Sequence, residues 1–163
     1  MTEFHGKTID KMFEFNLWAN TELIALCRGL DDERLSFEVD GAYGGIRSFL
    51  AHIVRAEDYY IHLLTGSRLW DNDLNWDNLS LDTILERARL SGQRLIDIAS
   101  KTDPDIRHEV ERQGNRRIFF NWTVLAQAFS HGMEHRTHIK VLLTHLGVEH
   151  PDLSLWNFVE SLR

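Results

Sequence analysis

Apolar residues recur at helical spacing in four long segments of the chain. The pattern predicts helices over residues 7–28, 46–64, 80–100 and 121–145. Polar loops separate these segments, and Ser80 is a suitable N-terminal cap for the third helix. Four long helices with short additions are typical of an antiparallel four-helix bundle, so the chain is predicted to be all-α.

Two shorter segments have a different pattern. Residues 106–120 alternate around a turn at Gln113-Gly-Asn, which predicts a short β-hairpin before the fourth helix. A two-stranded hairpin is weak alone, so it must lean on the helices. Residues 153–162 predict a short terminal helix that packs Leu155, Trp156 and Val159 against the bundle.

Composition limits the class of protein. With 163 residues, of which 43% are apolar and 26% charged, the chain is predicted to be one globular domain over residues 1–163. The net charge of −7, without a basic stripe, argues against a nucleic-acid partner. No apolar run reaches the length of a membrane span, so no membrane partner is expected.

The start of the chain and its cysteine content indicate the compartment. The N-terminus lacks the basic and apolar blocks of a signal peptide. Cys27 is the only cysteine, so no intramolecular disulfide can form and a reducing cytoplasm is expected. Cys27 also lies within the apolar stripe of the first helix, which predicts a core residue.

Polar residues occupy some positions of the predicted core. Asn16 and Asn20 fall within the apolar stripe of the first helix, and a buried amide needs hydrogen-bond partners. Those partners are either backbone and buried water or a histidine site beside them. In the second helix, His52 lies on the inward side, whereas Arg55 and Asp58 form an exposed row.

The fourth helix carries His131, His135 and His138 at spacings of four and three residues. Residues that far apart share one side of a helix. A lone histidine is more often a hydrogen-bonded structural residue than a metal ligand. A close pair, together with His52 as an inward candidate on another helix, favours a metal site.

Helix geometry limits the possible ligand sets. His131 and His138 are separated by roughly 10 Å along the axis, too far to share one ion easily. An adjacent pair with His52 as the third ligand is easier, and spacing alone allows either His131–His135 or His135–His138. Three neutral imidazoles with a position left for water suit zinc, nickel or a similar divalent ion. Such an ion activates water or binds a thiolate.

Other metal motifs do not fit the chain. The zincin motif HExxH is absent, because residues 131–135 read His-Gly-Met-Glu-His with Glu134 in the wrong place. The two Glu-x-x-His pairs of di-iron bundles are also absent. An EF-hand loop starting at Asp71 fails because its sixth and twelfth positions hold Trp76 and Asp82 instead of glycine and glutamate.

Three segments, in order, resemble the DinB/YfiT-like family of metal-binding four-helix bundles. They are Phe15-Asn-Leu-Trp-Ala-Asn20 in the first helix, Gly45-Ile-Arg-Ser-Phe-Leu-Ala-His52-Ile-Val-Arg-Ala-Glu57 in the second, and His131-Gly-Met-Glu-His135-Arg136 in the fourth. The resemblance covers nearly the whole chain. It implies that His52, His131 and His135 are the metal ligands. Because the family often has glutamine at the position of His138, that residue is either a group behind the ligands or an alternative ligand.

The resemblance also implies a function and an assembly. Members include thiol-dependent S-transferases and commonly form homodimers, so the chain is expected to be a dimeric metal-dependent enzyme. The expected reaction is a hydrolysis or a transfer that uses a low-molecular-weight thiol. The alternative is a non-catalytic, dimeric, metal-binding stress-response protein with a structural metal. The acidic charge opposes a third interpretation, a nucleic-acid-binding damage-response module.

Two residues near the predicted ligands have open roles. Glu57 is the nearest carboxylate candidate for a general base, or else only a surface residue. Arg136 matches the family but points into the apolar stripe, which an ion pair or a subunit contact would explain.

Overall fold

The ends of the long helices follow the capping chemistry of the sequence. The computed structural model describes residues 2–41, 44–71, 75–112 and 114–163. Within these residues the side chain of Ser80 accepts a hydrogen bond from the Thr83 amide, which confirms the predicted cap. The fourth long helix ends before Gly147, whose φ of +67° lies in the left-handed region that favours glycine.

The described part of the chain contains six α-helices, one 3₁₀ turn and two strands. The helices are α1 (Thr2–Cys27), α2 (Asp32–Leu35), α3 (Ile46–Thr65), α4 (Leu81–Ala99), α5 (Asn121–His145) and α6 (Leu155–Ser161). The 3₁₀ turn is Trp76–Asn78, and the strands are β1 (Arg107–Arg112) and β2 (Asn115–Phe120).

The four long helices form the bundle. Both α1 and α3 pack against α4 and α5. Each long helix contributes fully buried apolar side chains to the interior, among them Leu23, Leu50, Ile84 and Leu143. Cys27 is buried in the same core, as predicted. The predicted all-α bundle, with a hairpin before its last long helix and a short terminal helix, is confirmed.

The antiparallel hairpin is held against the beginning of α5. The backbone amide of Asn121 donates a hydrogen bond to the Ile106 carbonyl oxygen. The side chain of Asn121 also contacts β1, because its Oδ1 lies 2.6 Å from Nε2 of His108. These contacts supply the support that an isolated two-stranded hairpin lacks.

The face of α6 differs from the prediction. Leu155, Trp156 and Val159 are 51%, 82% and 51% exposed, so their predicted packing against the bundle is wrong. The buried residue is Phe158, whose ring lies 5.9 Å from Phe15 and 5.6 Å from the Trp18 ring of α1. The Phe158 ring packs against the aromatic side chains of α1, and this contact determines which face of α6 is turned toward the bundle.

Some predicted loops and turns include residues that the structure does not describe. These are Ala42 and Tyr43 in the loop before α3, residues 72–74 of the rejected calcium loop, and Gln113 of the hairpin turn. No helix among the described residues is long and apolar enough to cross a membrane.

Candidate metal site

The packing of α3 against α5 brings three histidines together. Nε2 of His131 on α5 lies 3.1 Å from Nε2 of His52 on α3 and 3.0 Å from Nε2 of His135 on α5. One ring nitrogen of each residue lies within 4.8 Å of the other two. These are the three residues that the family resemblance implies as ligands.

The short distances around His131 fit a shared metal ion. A ring nitrogen offers one N–H or one lone pair, so Nε2 of His131 can form a regular hydrogen bond with only one of its two neighbours. Two nitrogens bound to one ion at about 2.0–2.1 Å are roughly 2.9–3.4 Å apart for bond angles between right and tetrahedral. Both observed distances fall in this range, so the three rings could hold a divalent ion.

The electrostatic environment keeps the three imidazoles neutral. The pKa of His131 is lowered to about 4, chiefly by burial and in addition by charge repulsion from His135 and His52. Burial is also the main cause of the lowered pKa values of His52 and His135. Metal binding requires an unprotonated imidazole, and all three rings have that form near neutral pH.

The site lies at the surface of the bundle. His52 is exposed, whereas His131 and His135 are partly buried, so the prediction that His52 points inward is wrong. The core face of α3 includes Glu57 and Asp58, both 2% exposed, and Asp58 was predicted to lie on the exposed row. A prediction from apolar spacing assigns polar residues to the exposed side of a helix. The predicted core face of α3 is therefore rotated away from the observed one.

His138 lies beside the three histidines. Its ring centroid is 5.7 Å from that of His135 and 5.5 Å from that of Phe49. Its Nδ1 is buried and has no hydrogen-bond partner among the described residues. The nitrogen atoms that converge are those of His52, His131 and His135, while the His138 ring packs behind them.

A buried polar cluster lies on the core side of α3 and α5. Nη1 of Arg136 donates hydrogen bonds to Oδ1 of Asn16 and Oδ1 of Asn20, over 2.7 and 2.6 Å. The amide nitrogens of both asparagines donate to Oε1 of Glu57, over 2.9 and 2.8 Å. Ser91 on α4 donates to the other carboxylate oxygen. The cluster comprises Asn16, Asn20, Glu57, Ser91 and Arg136.

This polar cluster gives the surroundings of four residues whose roles the sequence left open. The side-chain hydrogen-bond partners of Asn16 and Asn20 are Arg136 and Glu57, and not the histidines. Glu57 is not a surface residue, since it is 2% exposed. Arg136 points inward, where the side-chain oxygens of Asn16 and Asn20 accept its hydrogen bonds, and burial lowers its pKa to about 10.

A cavity of about 550 Å³ opens beside His52 and His131. Its wall comes from α3, the segment after α3, and α5. The remaining lining residues are Arg55, Ala56, Asp58, Tyr59, Tyr60, Arg68, Asp71 and Trp76. The sequence did not predict this cavity, because its wall combines α3 with His131 of α5 and with Arg68, Asp71 and Trp76 from the segment after α3. The one available signal was Arg55, three residues after His52.

The fold and the histidine geometry define a four-helix-bundle protein with a candidate three-histidine metal site. The chain belongs to the DinB family, because the model of that family matches residues 1–161. The family resemblance stated from the sequence motifs is thus confirmed.

A solved structure of a DinB-like protein from Bacillus cereus ATCC 10987 has a similar fold. The TM-score is 0.61 at 22% sequence identity, and the match covers 85% of this chain and 91% of the other. At this identity the likeness shows the fold alone. No curated protein matches the chain.

Proposed function

We propose that this DinB-family protein is a metal-dependent enzyme that holds one divalent ion, zinc or nickel, through Nε2 of His52, His131 and His135. The reaction proposed is a hydrolysis or an S-transfer that uses a low-molecular-weight thiol. The observation that carries the proposal is the convergence of two ring nitrogens on Nε2 of His131, at 3.0 and 3.1 Å.

The chain supplies three ligands and an open side. Three neutral imidazoles leave coordination positions free, which is the arrangement of catalytic rather than structural zinc sites. His52 and His131 both line the 550 Å³ cavity, so a small molecule in the cavity reaches the same edge of the site. A bound divalent ion lowers the pKa of water or binds a thiolate, which is the chemistry that this proposal requires.

The residues around the ligands fix their orientation. Phe49 packs 5.3 Å from the His135 ring, and Tyr60 lies edge-on to the His131 ring at 5.8 Å. These contacts hold the two α5 imidazoles with their Nε2 atoms toward His52. Tyr60 also lines the cavity, and burial raises the pKa of its hydroxyl, which therefore stays protonated as a hydrogen-bond donor.

One observation favours the alternative of a non-catalytic metal-binding protein with a structural metal. Glu57, the sequence candidate for a general base, is occupied by the buried polar cluster and does not line the cavity. Asp58, which does line it, is held by Arg68 and the Leu69 amide. A structural site would leave the open side of the histidines unused.

Metal content of untagged protein tests the proposal. We expect about one zinc or nickel ion per chain, measured by inductively coupled plasma mass spectrometry after gel filtration. The single variants His52→Ala, His131→Ala and His135→Ala should each lose most of the metal, because two imidazoles bind far more weakly than three.

The matched controls are His138→Ala and His145→Ala on the same helix. Both variants should retain the metal, since His138 and His145 do not belong to the group of His52, His131 and His135. Full retention by the three ligand variants, or loss in His145→Ala alone, would contradict the assignment.

To separate enzyme from structural protein, the cobalt-substituted form is titrated with imidazole. An open site changes its visible spectrum, and a closed one does not.

A further inference from the structure

The cavity beside the histidines has the size of a small-molecule site. Its volume of about 550 Å³ lies within the usual range for ligand pockets. His52 and His131 form one end of it, and aromatic rings of Tyr59, Tyr60 and Trp76 supply apolar wall. The charges that face the cavity therefore decide which small molecules it accepts.

Two of the charged lining residues neutralise each other. Nη1 of Arg68 lies 2.9 Å from Oδ2 of Asp58, whose side chain is 3% exposed. The Leu69 amide donates to the other Asp58 oxygen over 2.6 Å, and the Arg68 guanidinium also lies 5.5 Å from the Tyr59 ring. This pair holds the segment after α3 against the helix and leaves no net charge for a ligand.

Arg55 is a cation of a different kind. It follows His52 by three residues on α3, so the two lie on one side of the helix, separated by roughly 4.5 Å along its axis. Its side chain is exposed. Among the residues that the structure describes, no ion pair or hydrogen bond engages it. Its charge acts on His52, since Arg55 contributes to the lowered pKa of that ring.

The remaining carboxylate of the lining is Asp71. Asp71 and Arg68 also line a second cavity, of about 360 Å³, whose wall contains neither His52 nor Arg55. The end of the main cavity near the histidines therefore combines an unpaired guanidinium with two imidazoles. A planar guanidinium binds a carboxylate through two parallel hydrogen bonds.

We infer that the cavity takes a small molecule that carries a carboxylate, which Arg55 binds while the reacting end of the molecule lies at the three histidines. This inference rests on the proposed function and specifies its substrate class. The preference for an anion comes from this local cation, because the whole chain has a net charge of −7 and repels anions at long range. Arg55 is thus a specificity-determining residue.

A matched pair of thiols tests the inference. The probes are 3-mercaptopropionate and its uncharged analogue 3-mercaptopropionamide, titrated into cobalt-substituted protein at low ionic strength and followed by the sulfur-to-cobalt absorption band. We expect the carboxylate to bind roughly fivefold more tightly than the amide, the magnitude of a partly exposed charge pair. The preference should shrink as salt is added, because salt screens exposed charges.

Two arginine variants complete the design. Arg55→Gln should abolish the preference for the carboxylate while its cobalt spectrum without probe stays that of the parent protein. Arg89→Gln removes an exposed arginine of α4 that does not line the cavity, so the preference should remain.

The outcomes separate the two levels of the account. Equal affinity for both probes in the parent protein, or an unchanged preference in Arg55→Gln, would overturn the inference and leave the metal site standing. A parent protein that binds no cobalt would overturn the proposed function, and the inference with it.

Discussion

Glu57 is a buried carboxyl group whose environment changes its acid–base chemistry. Its carboxyl group is fully enclosed between α1, α3 and α4, and burial raises its pKa to about 7. Hydrogen bonds from Ser91, Asn16 and Asn20 and the charge of Arg136 oppose the shift without cancelling it. A proton therefore remains on this group at pH values where an exposed glutamate has lost it.

The substitution Glu57→Gln should change the pH dependence of stability. Between about pH 4.5 and 7 the unfolded chain has released the Glu57 proton and the folded chain retains it, so the contribution of this group to stability falls as pH rises. Relative to Glu57→Gln, we expect the parent to lose about 2 kcal/mol of unfolding free energy between about pH 5 and pH 7.

Urea unfolding of the metal-free parent and variant at both pH values measures this difference. The histidines are the same in both proteins, so their effect on the pH dependence cancels in the comparison. The exposed Glu86→Gln serves as the control and should follow the parent. Parallel pH profiles of the parent and Glu57→Gln would show that Glu57 does not retain its proton.

At the scale of helices, Gly132 leaves no room for a side chain between α5 and the polar residues of α1. A Cβ atom added there would lie 2.7 Å from Oδ1 of Asn16 and 2.9 Å from Nη1 of Arg136. Glycine weakens a helix interior by roughly 1 kcal/mol relative to alanine, so its use here needs a packing reason. The reason is the buried polar cluster, which occupies the space that a side chain would take.

Gly132→Ala should therefore destabilise the protein despite the better helix propensity of alanine. The new methyl group forces Asn16 and Arg136 apart, and we expect a loss of about 2 kcal/mol in unfolding free energy. Because Gly132 lies between His131 and His135, the affinity for zinc should fall as well. The exposed Thr137→Ala on the same helix should change stability by no more than about 0.5 kcal/mol. A Gly132→Ala protein as stable as its parent would contradict this packing account.

The elements that the sequence predicts well are those with a clear apolar period. The four long helices and the hairpin follow from that period and from caps such as Ser80. The core face of α3 does not follow from it, because the buried polar residues Glu57 and Asp58 look exposed in a hydropathy pattern. The face of α6 does not either, because its orientation depends on the contact of Phe158 with the aromatic rings of α1. The partners of Glu57 come from α1 and α4, and those of Asp58 from the segment after α3, so no local pattern contains them.

At the scale of the whole molecule, the candidate site belongs to no single segment. Spacing on α5 left two histidine pairs open, and the choice of His131 and His135 came from the family motifs. The convergence on His52 depends on how α3 packs against α5, because His52 and His131 are 79 positions apart in the sequence. The cavity depends on the segment after α3, held by the Arg68–Asp58 ion pair, so it was not predictable from local patterns. The homodimer expected from the family stays a prediction.

The most direct test of the central claim is an anomalous-difference map from crystals of the metal-bound protein. Data are collected at the absorption edge of the metal that copurifies with it. The account predicts one peak per chain within about 2.0–2.3 Å of Nε2 of His52, His131 and His135, with a non-protein ligand on the side of the cavity. A peak at any other group of residues, or one enclosed by four protein ligands, would contradict it.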